Sequence, residues 1–283
     1  MKKTIEDAYK ISTERLERVI AQQKYGKKTK LDVLNAKVDA NSDSLNLLNI
    51  TVLLQNNSRN LNYLLGREIN KEFSTNMEVH LDPFLDYRIL SEQLKNNNSN
   101  LKLIKINQEI SKQELKINQA GWLPSISASA SYGVNNNDNG PAGFFATQQS
   151  NGINAGINLS WNLFDGGNTI TRVKNAKINL EAQNIQKEQL IVSVERNFNN
   201  AWDDYQNKLS IYRLQEQNIK TSQNNFNRTQ EKFKLGQVNS IEFRQAQLNL
   251  LNAELSRNRA KYLAKLAEFQ LLQLSGELLS VNF

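Results

Sequence analysis

Glycine and proline are distributed so unevenly along these 283 residues that long helices are nearly unavoidable. Eight of the 12 glycines and two of the three prolines fall within residues 121–167, and neither residue interrupts the 68 positions from Asn168 to Leu235. Interior proline breaks a helix and interior glycine costs about 1 kcal/mol, so a stretch without either can stay helical throughout. The four remaining glycines form two pairs, Gly26 with Gly236 and Gly66 with Gly276, each 210 residues apart. Sliding residues 6–66 onto 216–276 without a gap gives twelve identities, where roughly four or five are expected by chance, so one element occurs twice.

Apolar periodicity supports the same organisation. Ile191, Phe198, Tyr205, Tyr212, Ile219, Phe226 and Phe233 recur every seven residues. Beyond Gly236 run a column of Ile241, Leu248, Leu255, Tyr262 and Phe269 and an alanine column of Ala246, Ala253, Ala260 and Ala267. The first copy has Tyr9 and Leu16 before Gly26, then Leu31, Val38, Leu45 and Val52 after it. Each copy therefore reads as a helix, a tight turn at glycine and a returning helix, with all these columns expected in the core. Residues 168–234 would span on the order of 100 Å, which calls for a coiled-coil-like assembly.

Residues 121–167 change period. Ser125, Ser127, Ser129, Ser131 and Gly133 alternate with Ile126, Ala128, Ala130, Tyr132 and Val134. Ile153, Ala155, Ile157, Leu159, Trp161 and Leu163 alternate with Asn154, Gly156, Asn158, Ser160 and Asn162. Period two on both sides of a polar loop predicts two antiparallel strands, each with one apolar face. Their length is that of strands crossing a bilayer at a tilt, and Asp138 and Tyr132 are the only ionisable side chains between Lys116 and Asp165. Trp122, Trp161 and Phe164 gather at one end of the hairpin, where an interfacial girdle would lie. Ile157, Leu159 and Trp161 are then expected to face lipid, and Asn154, Asn158, Ser160 and Asn162 a water-filled lumen. The alternative is an amphipathic hairpin lying on the helices of a soluble protein.

Composition narrows the function. There is no cysteine and one histidine, His80, which removes disulfide frameworks, thiolate zinc sites and most nucleophilic pairs. No enzyme, cofactor or metal is expected. The net charge of +7 comes from bases interleaved with acids, and no basic patch with stacking aromatics suggests nucleic acid. No run of about 18 apolar residues makes a membrane helix, and Met1-Lys2-Lys3 is followed by Glu6, Asp7 and Lys10 where a signal peptide needs an apolar core.

Leu123-Pro124-Ser125, the run W-N-L-F-D-G-G from Trp161 to Gly167, and the paired elements Lys24–Ala36 and Lys234–Ala246 resemble the TolC-like outer membrane efflux protein family. The resemblance implies a mainly α fold of very long antiparallel coiled-coil helices with one membrane-spanning β-hairpin, its share of a 12-stranded barrel in a homotrimer. It implies an outer membrane exit duct for efflux or type I secretion, continued by helices through the periplasm, docked by a periplasmic adaptor protein and powered indirectly by an inner-membrane transporter. On this plan residues 1–66 are the helical hairpin of the first repeat, 67–85 (with His80 and Pro83) an irregular belt, 86–120 a helix, 121–167 the β-hairpin, 168–279 the second helical hairpin and 280–283 a tail. Three copies would pool only six strands, fewer than the ~8 of the smallest barrels, so an earlier hairpin and a signal peptide are expected upstream of Met1.

Residue by residue, the resemblance implies periplasmic tips at Tyr25, Gly26 and Thr29 and at Leu235, Gly236 and Asn239, where the adaptor would dock; simple helix capping is the alternative role. It implies entrance charges at Asp32 and Glu242, one and a half turns into each returning helix and open to pairing with Lys28 or Lys30. A second acidic position of the family is occupied here by Asn35 and Gln245. Two other classes compete: a helical pore-forming toxin, which has no need of a 210-residue duplication, and a coiled-coil structural or adhesion protein, which leaves the alternating strands unexplained.

Overall fold

A computed structural model describes residues 1–75, 78–82, 85–138 and 147–280. Pro83, Gly140, Pro141, Gly143 and all but the first residue of the expected tail lie outside the described residues. Among the described residues six α-helices and one hairpin follow in order: α1 (Lys2–Lys24), α2 (Lys30–Leu64), α3 (Tyr87–Asn97), α4 (Ser99–Gln119), β1 (Ser125–Asp138), β2 (Thr147–Ser160), α5 (Asn168–Lys234) and α6 (Ser240–Ser275). The single helix expected over 86–120 is broken, because the Asn98 side chain accepts hydrogen bonds from the N–H groups of Asn100 and Leu101 and starts a new helix. None of the described helices is long and apolar enough to cross a membrane.

The chain forms two units, residues 1–94 with 197–283, and residues 95–196. In the first, α1 and α2 pair, as do the end of α5 and α6. The aromatic column of α5 is inward here, with Phe198, Tyr205, Phe226 and Phe233 all buried. Phe243 of α6 stacks on Phe233 with centroids 4.7 Å apart and tilts against Phe226 at 5.7 Å. Tyr87 of α3 lies edge-on to Trp202, 5.5 Å between centroids. Segment 78–82 is held to the helices at Asp82, whose carbonyl accepts from the Tyr205 hydroxyl at 2.9 Å and whose N–H donates to Glu268 at 3.2 Å.

Of the columns following each glycine, the alanine column of α6 is buried as expected, whereas the large apolar columns are not. Leu31, Val38, Leu45 and Val52 are 55–66% exposed, and Ile241 and Tyr262 are exposed as well. Both returning helices turn a small-residue stripe inward instead: Ala36 and Ala40 in α2, and Ala246, Ala253, Ala260 and Ala267 in α6. At 100° per residue, a column two positions beyond a buried alanine points to the opposite side. Small side chains let the helix backbones approach closely, and the large column is left facing outward.

In the second unit, α4 packs on the first part of α5. The Gln108 amide donates to Asn184 at 2.6 Å, Lys187 donates to Gln108 at 3.0 Å, and Leu101, Val173, Ala176 and Val194 are buried. The hairpin pairs in one unbroken antiparallel register from Ser125 with Ser160 to Asp138 with Thr147. Asp138 is therefore a paired strand residue and not part of the connecting loop.

Candidate functional site

The hairpin presents two chemically distinct faces. Ile126 lies opposite Leu159, Ala128 opposite Ile157, Ala130 opposite Ala155 and Tyr132 opposite Ile153, while the other face pairs Ser127 with Asn158, Ser129 with Gly156 and Ser131 with Asn154. The apolar face ends where Val134 meets Asn151, about 26 Å along the strand from Ile126. Beyond it, four more residue pairs are polar on both faces. Every strand residue whose side chain is described is exposed, Ile157 at 82%, so none of the described residues covers either face. The ladder stops at Ser160, which puts Trp161 and Asn162 past the strand rather than in it. The next partner would be Pro124, which has no N–H to give. Trp161 instead donates its indole N–H to the Trp122 carbonyl at 3.2 Å and closes the base of the hairpin. Phe164 beside it is 86% exposed. Asp165 then starts α5 by accepting from the hydroxyl and N–H of Thr169 and the N–H of Gly167, and these bonds hold its carboxyl below the usual carboxylate range.

The two glycine turns have one backbone. Gly26 and Gly236 take φ of 70° and 75°, a region closed to residues with a Cβ except at a cost. The N–H of Gly26 donates to the Gln23 carbonyl and that of Lys27 to the Gln22 carbonyl, at 3.0 and 2.9 Å; Gly236 and Gln237 donate to Phe233 and Lys232 at 3.1 and 2.9 Å. Both are Schellman closures. The side chain of Thr29 then caps α2 by accepting from the Asp32 N–H, and that of Asn239 caps α6 by accepting from the N–H groups of Ile241 and Glu242. Tyr25 and Leu235 stand out from the turns, 82% and 73% exposed.

Asp32 and Glu242 occupy the third helical position, not one and a half turns in. Each is engaged by its cap: Asp32 accepts from the N–H and hydroxyl of Thr29 at 2.9 and 2.8 Å, and Glu242 accepts from the Asn239 amide at 2.9 Å. The Thr29 bonds hold the Asp32 carboxyl below its ordinary range, with a smaller contribution from Lys28. Lys28 and Lys30, the lysines open to pairing with it, both lie beyond 4.0 Å of its carboxylate. His80 lies beside Glu78 at 3.6 Å with both side chains mostly exposed, and no group of three potential metal ligands occurs among the described residues.

What sequence reasoning missed is a buried ionic network behind the turns. Arg244 of α6 donates to Asp43 of α2 at 2.6 and 2.9 Å and to Ser12 of α1 at 3.1 Å. Ser12 donates to Asp43, Arg15 of α1 pairs with Asp39 of α2, and Gln247 of α6 donates to the Ala8 carbonyl at 2.9 Å. Burial works against the Arg244 charge, but the hydrogen bond and attraction of Asp43, with Asp39, outweigh it and raise the pKa of the guanidinium. The network ties three helices together. A signal was present: Ser12 and Arg15 fall on one helical stripe with Ala8 and Val19, and Asp43 on another with Ala36 and Ala40, so opposite charges interrupt two small-residue stripes.

Comparison with known proteins agrees with this architecture. The outer membrane protein TolC of Vibrio cholerae is 25% identical over 189 residues, 67% of this chain but 43% of that protein, so the chain spans less than half of its relative's length. The outer membrane protein VceC of Vibrio cholerae superposes with a TM-score of 0.72 at 17% identity, covering 97% of this chain and 65% of that one. The Campylobacter jejuni CmeC outer membrane channel gives 0.76 at 14% identity, covering 98% and 59%. The family model described as outer membrane efflux protein matches residues 90–277, well over half of the chain, and on these grounds the chain belongs to the outer membrane efflux protein family.

Proposed function

We propose that the protein is an outer membrane exit duct, a passive conduit assembled as a homotrimer, opened by a periplasmic adaptor and powered by an inner-membrane transporter. The observation that carries this reading is the hairpin register, which sets a continuous apolar face of nine positions against an uncharged polar one. No described residue of the chain covers either face of this hairpin, and nine to eleven residues is the length of a tilted transmembrane strand. Two strands cannot close, and unpaired edges in lipid cost several kcal/mol per group, so copies must pool their strands into a barrel. The exposed column Leu31, Val38, Leu45 and Val52 offers a neighbouring copy an apolar helix face to cover. Ile157 and Leu159 would meet lipid, Trp122, Trp161 and Phe164 the interface, and Asn154, Asn158 and Ser160 the lumen. The turns at 25–29 and 235–239 would be the periplasmic tips, with Asp32 and Glu242 adding negative charge near the entrance.

Arginine scanning tests this. Ile157→Arg, part-way between the interface and the middle of the apolar face, should impair assembly of the membrane-inserted protein by about 1–3 kcal/mol per subunit, whereas Asn158→Arg is tolerated. The readout is the yield of heat-resistant trimer, and equal yields would overturn the assignment.

A further inference from the structure

The duplication supplies an internal control for the two turns. Lys24, Gly26 and the position of the N-cap recur at Lys234, Gly236 and Asn239, and the closing hydrogen bonds match within 0.1 Å. Three positions differ in kind: Lys27, Lys28 and Lys30 in the first turn stand where Gln237, Val238 and Ser240 stand in the second. The same backbone forms with and without the lysines, so the turn does not require them. Val238 even uses its position to pack on the Phe226, Phe233 and Phe243 cluster.

With Lys24, the first turn carries four ammonium groups in seven residues, and among the described residues none of them lies within 4.0 Å of a carboxylate. The one acid of the turn, Asp32, is held by Thr29. Like charges this close repel, a cost that the fold does not need and that an anionic partner would turn into attraction. The two turns belong to the same unit, and Arg15 of α1 donates to the Ser240 carbonyl at the start of α6 at 3.3 Å. A flat anionic surface would meet both turns and favour lysines on both. The second turn keeps Lys234 but has none of the other three, and this concentration of ammonium groups in one turn fits a partner that reads each turn separately, while exposed apolar residues flank both turns, Tyr25 and Leu31 at the first and Leu235 and Ile241 at the second.

We propose that residues 24–30 form a cationic docking point selective for an acidic helical tip of a protein partner. This rests on the docking role proposed above and adds to it a partner chemistry.

The test uses the detergent-purified chain and three synthetic helical hairpins alike except in charge: four glutamates at the tip, four glutamines at the tip, or the four glutamates moved to the stem. The tip-glutamate hairpin should bind at least tenfold more tightly than the other two, with a preference that fades as salt rises. K27Q/K28V/K30S, which installs the second turn's own residues, should erase the preference, and Q237K/S240K, which spares the packed Val238, should strengthen it. Retained preference in the first variant, or equal binding of the stem-glutamate hairpin, would overturn the lysine assignment. Lysine-dependent binding to phosphatidylglycerol vesicles without hairpin preference would assign the cluster to lipid and overturn it too. If all three hairpins bind parent and variant alike, docking stands and only the charge selectivity falls; if none binds, the docking role falls with it.

Discussion

The two copies of the repeat share a backbone and differ in what fills it. Behind the second turn, Phe226, Phe233 and Phe243 pack on one another; behind the first, the matching positions are Leu16, Gln23 and Val33. The first copy instead contributes Ser12, Arg15, Asp39 and Asp43 to the ionic network, where the second has Ser222, Asn225, Asn249 and Ala253. The difference teaches that a helix–turn–helix of this kind is specified by its glycine, its cap and its small-residue stripe. Those are the features the copies share, and the interior chemistry is free to diverge once they are in place.

The sharpest way to break this comparison is at Arg244. Arg244→Ala leaves the Asp43 carboxylate buried without its main partner and should cost about 3–5 kcal/mol in denaturant unfolding of the detergent-solubilised chain. Replacing the charged set by the residues of the opposite copy, as R15N/D39N/D43A/R244L, should recover most of that loss, because apolar packing of similar volume often matches a buried ion pair. A fourfold variant no more stable than R244A would mean that the network is irreplaceable.

Phe243→Ala should likewise cost about 3–5 kcal/mol, whereas Val33→Ala, its counterpart in a half-buried site, should cost no more than about 1.5 kcal/mol. Similar losses at the two sites would show that the first turn also has an apolar core.

Tyr205 sharpens the comparison through pH. Burial, then Glu268 and Asp82, raise its hydroxyl from 10 to about 12. The folded state therefore favours the protonated phenol: this contribution is fully present below pH 10 and is lost as pH rises toward 12. Tyr205→Phe should lose about 1 kcal/mol at neutral pH, from the bond to the Asp82 carbonyl, and should lack that alkaline step. An unchanged alkaline profile would assign the step to another group.

The smallest expected effect on folding is at the outward column. Val38→Ser/Leu45→Ser should change the stability of the single chain by no more than about 0.5 kcal/mol per site yet reduce association between copies, read by sedimentation in detergent. A large loss of chain stability would return the column to the core.

Much of the architecture is legible in the amino-acid sequence alone. Breaker-free stretches, the 210-residue repeat and the switch from a seven-residue to a two-residue period specify the helices, turns and hairpin, since these follow from local backbone preferences and side-chain spacing. The hairpin faces and both turns were legible for the same reason. Other features depended on which groups meet in space. Periodicity shows that a helix has an apolar column, but the close approach allowed by Ala36 and Ala40 turned Leu31, Val38, Leu45 and Val52 outward. Spacing put Asp32 and Glu242 near the turns, but hydrogen bonding made them cap residues. Arg244 finds Asp43 across 201 positions of sequence, and that separation is why only the tertiary structure could decide that these charges belong to one buried site.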